Sequence, residues 1–178
     1  MTTVPLQSRK AAKFLFGFFI VLAVGTFTWG FFVVEKVRAR AKETDGALRA
    51  VAWACLCYAQ QNGQQSGQQS GQKQASHLWP DSEATLITAT SAGNCEKIDS
   101  PNSAWPATRE AAMAGSTAPA TLPLALGMAG VEFSKDPQAC PHLTAKGNPS
   151  GLDTLEVVNG WLIEYAKSHF LKSHSAPN

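Results

Sequence analysis

Residues 14–34 read FLFGFFIVLAVGTFTWGFFVV. These 21 positions hold no charged residue, no proline and no side-chain amide. A helix needs about 20 mostly apolar residues to cross the hydrocarbon core of a bilayer. Only Gly17, Gly25, Thr26, Thr28 and Gly30 interrupt the run, and small residues are tolerated in membrane helices. Trp29 falls near one end, where an interfacial ring is favoured. A buried helix of a soluble protein is the poorer reading, because the aromatics lie all around the helix and no polar face remains. A cleaved signal peptide needs a shorter run and a small-x-small cleavage site. No such site precedes the charged segment at 35–43. The segment therefore reads as an uncleaved signal anchor.

Working outward, Arg9, Lys10 and Lys13 precede the span, and Lys36, Arg38, Arg40, Lys42 and Arg49 follow it. Counting Lys and Arg alone favours a cytoplasmic C-terminal side. The 144 residues beyond the span argue the other way, since long segments translocate largely regardless of charge. They also hold all four cysteines, an even number that fits an oxidising compartment. The expected topology is N-terminus cytoplasmic and C-terminal domain exported.

The span also distorts the composition. Seven of the nine Phe lie within it. Outside it, Leu, Ile, Val and Phe make up only 24 of 157 residues. Below roughly a fifth of large apolar residues, a chain struggles to bury enough surface to fold. The expectation is a small, Ala-rich, loop-rich domain that gains support from disulfides, a partner or the membrane. Net charge is +2 and charged residues are 16% of the chain. That excludes a strongly basic nucleic-acid binder.

The predicted organisation is a basic tail at 1–13, a transmembrane helix at 14–34 and an amphipathic extension at 35–59. A Gln/Gly/Ser linker at 60–76 follows, then a loop-rich exported domain at 77–178 closed by a helix at 153–172. The fold class is mainly α with irregular loops. On the extension, Val37, Ala41, Leu48, Val51, Cys55 and Tyr58 form one stripe at helical spacing. The linker repeats Gly-Gln-Gln-Ser at 63–66 and 67–70. Residues 84–90, Ala-Thr-Leu-Ile-Thr-Ala-Thr, read as a strand. Thr108 reads as the cap of a short helix to Ala114, and 122–131 as a second one. Asp153-Thr-Leu-Glu156 reads as the start of the last helix.

The cysteines stand at 55, 57, 95 and 140. Residues two apart on a helix point about 200° apart, so Cys55 and Cys57 do not readily bond each other. They are expected to reach Cys95 and Cys140 in one of two pairings. The alternative is a metal or redox protein using the Cys/His set, with Cys55, Cys57, Cys140 and His142 as ligands. Zinc sites prefer pairs two to four residues apart on a turn, so no metal or cofactor is expected. No Gly-x-Ser-x-Gly, Walker loop, His-Glu-x-x-His or dinucleotide fingerprint occurs, and no enzyme is expected.

Interface candidates are Gly25, Thr26, Thr28 and Gly30, which let another helix approach closely. To these we add Val37, Leu48 and Val51 on the stripe, and Trp79 and Trp105 in two Trp-Pro pairs; the competing reading of the stripe and of both Trp is packing within the protein's own domain. The partners these imply are membrane lipid and other membrane protein subunits, a second copy of the chain included.

A membrane helix running into an amphipathic helix and a loop-rich, disulfide-linked domain resembles the outline of type IV pilins and pseudopilins. In that family a basic leader precedes a Gly, and cleavage leaves an apolar N-terminus, usually Phe. Here Lys13 precedes Phe14-Leu15-Phe16-Gly17, with Phe18 next. Two features depart from the pattern. Apolar residues separate Lys13 from Gly17, and Leu22 stands where the family carries an acid. The resemblance implies a filament subunit. The residues themselves point to a single-pass accessory or structural subunit of a cell-envelope membrane protein complex.

Overall fold

The structure is a computed structural model that describes residues 6–65, 78–92, 95–136, 139–151 and 153–174. The chain is mainly helical. Helix α1 runs Leu6–Gln65, α2 Glu83–Ala92, α3 Arg109–Met113, α4 Leu122–Met128 and α5 Thr154–His174. Strands β1 (Gly130–Glu132) and β2 (His142–Thr144) form an antiparallel pair with Val131 opposite Leu143. A 3-10 turn at Pro101–Ser103 lies between α2 and α3. Compactness divides the chain into Met1–Ala39 and Arg40–Asn178.

In the first unit, α1 carries a stretch long and apolar enough to cross a membrane, with none of it buried by protein. In the second, α1 is the central element. Ala47, Leu48 and Val51–Cys57 are all buried. The sequence shows why: residues 50–59, AVAWACLCYA, are apolar on every side. A helix without a polar face is stable only when surrounded. Leu86 of α2, Ile98, Ala112 of α3, Ala125 and Leu126 of α4, Leu143 of β2, and Val158 and Leu162 of α5 complete the core. The core is broad but built of small residues, as the scarcity of large aliphatics requires.

Polar contacts fix the loops to this frame. Asp45 Oδ1 accepts from Gly151 N at 2.8 Å, joining α1 to the segment before α5. Arg49 donates to Ala112 O at 3.2 Å, and its guanidinium sits 5.6 Å from the Trp161 ring centre. The side-chain amide of Asn159 acts like an added strand. It accepts from Leu143 N at 2.8 Å and donates to Leu143 O at 3.1 Å, satisfying the outer edge of β2.

Several expectations change. Residues 84–90 are helical within α2, not a strand. Ser82 Oγ accepts from Thr85 N at 3.3 Å and starts the helix. Thr88, Thr90 and Ser91 return their hydroxyls to carbonyls four residues earlier, which makes Thr compatible with a helix. The second short helix stops at Met128 and the chain is extended by Gly130. Helix α1 runs on to Gln65, so the first residues of the Gln-rich tract are helical. The rest of that tract, 66–76, lies outside the described residues. The Thr108 cap forms as expected, its hydroxyl accepting from Ala111 N at 3.2 Å.

Candidate functional site

The first candidate surface is the apolar stretch of α1 in the unit Met1–Ala39. Phe14, Phe27 and Trp29 are each more than 70% exposed, and the remaining large side chains of 14–34 are exposed as well. Thr26 donates to Leu22 O and Ala23 O, both at 3.0 Å, and Thr28 donates to Val24 O at 2.7 Å. Both hydroxyls are thus satisfied inside the helix, which lowers the cost of placing them in lipid. Nothing lies within 4 Å of a Cβ built on Gly25 or Gly30. These positions therefore offer open surface where a second backbone can approach. Val37 is also exposed.

The second candidate lies in the unit Arg40–Asn178. A cavity of about 180 Å³ is bordered by Trp53, Cys57, Tyr58, Cys95, Arg109 and Leu122. The Cys57 thiol donates to Cys95 O at 3.9 Å. Burial, the largest cause, and the neighbouring Cys95 side chain push the Cys57 thiol well above its ordinary range, and the Arg109 charge opposes the shift. Burial alone raises Cys55 from 9.0 to about 12. Burial also raises Cys140. All four cysteines carry free thiols in this structure.

On another side of the same unit, Tyr165 of α5 is the meeting point of three rings. Its centre is 5.8 Å from Trp79, 5.2 Å from Trp105 and 5.1 Å from His169. Burial first, and then Asp99, raise the Tyr165 phenol above its ordinary range. Trp105 Nε1 donates to Asp99 O at 3.0 Å, and Ser100 Oγ donates to Trp105 O. Trp79 Nε1 and Gln60 Oε1 are buried with no hydrogen-bond partner. Gln60, Asp99, Trp105, Tyr165 and His169 border a second cavity of about 180 Å³.

The residues expected at interfaces therefore separate. Gly25, Thr26, Thr28, Gly30 and Val37 are exposed. Leu48, Val51, Trp79 and Trp105 lie inside the chain's own core, at most 4% exposed. They are corrected from interface residues to packing residues: large apolar groups are too few here for the domain to leave these four outside. Cys57 and Cys95 are brought together. Cys55 is fully buried and Cys140 half-buried. His142 is exposed on β2. His77 lies outside the described residues. Among the described residues, no group of three or more His, Cys, Asp or Glu is placed to hold a metal ion. No motif around Tyr165 singles it out in the sequence. Its role as a ring junction depends on two Trp-Pro loops that lie 60 or more residues away.

No family model, no curated protein and no solved structure matches this chain.

Proposed function

We propose that this chain is a single-pass, envelope-anchored accessory or structural subunit of a membrane protein complex. Residues 14–34 would hold it in the bilayer, with the N-terminus cytoplasmic and the unit Arg40–Asn178 exported. The observation that carries this reading is the contrast along α1. Between 14 and 34 every large apolar side chain is exposed, whereas at 47–57 almost every side chain is buried. Exposed apolar surface on that scale marks a membrane or protein contact. Gly25 and Gly30 offer the close approach that helix–helix packing in lipid uses.

The test is fractionation of cells expressing the full chain. Retention in alkali-washed membranes, with the domain cut by external protease after the outer barrier is opened, is the expected result. A soluble, processed product would overturn it.

One observation favours a second reading as a pilin-like filament subunit. Helix α1 is one element from before the apolar stretch to the centre of the domain, which is the outline of that family. Mass analysis of the mature N-terminus separates the two. An end at Met1 or Thr2 excludes processing at Gly17, and an end at Phe18 would support it.

A further inference from the structure

We propose that Cys57 and Cys95 are a disulfide-forming pair, and that Cys55 and Cys140 remain thiols. The sequence permits two pairings of four cysteines, and the geometry selects a single bond. Cys57 is held on the buried part of α1, and its thiol donates to the backbone carbonyl of Cys95 at 3.9 Å. Cys95 lies just beyond α2, with its sulfur 3.8 Å from Lys97 O. Its segment is irregular until the isolated bridge between Lys97 and Thr108, so it can supply the small adjustment that bonding needs. Both residues border the same 180 Å³ cavity, which gives an oxidant a route in.

Cys55 differs in each respect. It is two residues from Cys57, hence on the far side of the helix, and it is fully buried. It does not border the cavity that Cys57 and Cys95 share. Cys140 is absent from that lining as well, so an oxidant entering the cavity meets Cys57 and Cys95 and neither of the other two thiols.

The chemistry is thiol–disulfide exchange with an external disulfide oxidant. Cys95 is the more exposed partner. It loses its proton and attacks one sulfur of the oxidant, which expels a thiolate and leaves a mixed disulfide on Cys95. Cys57 then loses its proton and attacks the Cys95 sulfur, expelling the second thiol. Two S–H bonds are lost and one S–S bond forms. The oxidant accepts two electrons and the two protons as two thiols. Arg109 borders the same cavity, and its positive charge favours the Cys57 thiolate in the second step. The bond would fasten the segment that follows α2 to the centre of α1.

The experiment uses the full chain, purified reduced in detergent and exposed to oxidised glutathione at pH 8. Peptide mapping is expected to join the Cys57 and Cys95 peptides and to find Cys55 and Cys140 unlinked to any cysteine peptide. Cys140→Ser should form the same bond, and Cys95→Ser should not. The oxidised chain should melt about 10 °C above the reduced one, and reductant should reverse the shift. A Cys57–Cys140 or Cys55–Cys95 link would overturn the proposal. So would stable glutathione adducts on Cys95 that do not resolve to the internal bond. Because the bond is made in the test tube, its failure is independent of membrane anchoring or export.

Discussion

Gly46 of α1 looks, from sequence, like a defect. Glycine inside a helix costs about 1 kcal/mol relative to alanine, so Gly46→Ala should stabilise if the helix were free. The fold reverses that sign. A Cβ at Gly46 would lie 1.8 Å from Thr117 O and 2.7 Å from Thr117 C. Those are backbone atoms, so no rotamer change relieves the overlap. The segment would have to retreat by more than an ångström from positions held by Ser116, whose N and Oγ both donate to Met113 O at 3.0 and 2.9 Å. Overpacking of this kind costs about 1–3 kcal/mol or more. Less the propensity gain, the net loss is about 1–2 kcal/mol, or several degrees of melting temperature for a domain of this size. Gly160 of α5 is the control. Nothing lies within 4 Å of a Cβ there, so Gly160→Ala should stabilise by about 0.5–1 kcal/mol. Thermal unfolding of the full chain in detergent, followed by tryptophan fluorescence, measures both. A Gly46→Ala protein as stable as the parent would refute the close approach of residue 117 to α1.

Other expectations concern different parts of the molecule. Asn159→Ala removes both bonds to Leu143 and should cost about 1–3 kcal/mol, whereas Asn159→Gln should recover little because the edge-pairing geometry is lost; urea unfolding checks both. Tyr165→Ala removes the ring between Trp79 and Trp105 and should cost about 3–5 kcal/mol, with a red shift of tryptophan emission before unfolding. The Cys55 thiol is raised from 9.0 to about 12 by burial, so its contribution to stability is fully present below pH 9 and is lost as pH rises from 9 towards 12. Reduced protein should therefore weaken above pH 9, and Cys55→Ala should flatten that part of the stability–pH curve; an unchanged curve would contradict the burial. Gly30→Leu should leave the melting of the domain unchanged while weakening any assembly through the apolar stretch, as read by native mass in mild detergent.

How far the fold was legible follows from where the determining contacts lie. The apolar stretch, the Thr108 cap and the start of α5 are set by neighbouring residues, and each is visible in a window of a few positions. Residues 84–90 misled because β-branched residues favour strands. Their outcome depended on Ser82 starting a helix and on Leu86 reaching the core. The stripe through Leu48 and Val51 was legible as helical. That α1 would be covered on all sides followed only from AVAWACLCYA taken as a whole. At the candidate sites, the open surface at Gly25 and Gly30 goes with an apolar run whose composition is visible locally. The sequence left Cys57 two possible partners, Cys95 and Cys140, and its approach to Cys95 depends on how the chain beyond α2 returns to α1.

The central claim is that the chain acts as one subunit among others in a membrane. Its most direct test is the native mass of the full chain extracted in mild detergent from the membranes that make it, with the bound detergent subtracted. The account predicts a defined assembly heavier than one 19.0 kDa chain. A stable, monodisperse monomer with nothing bound would contradict it.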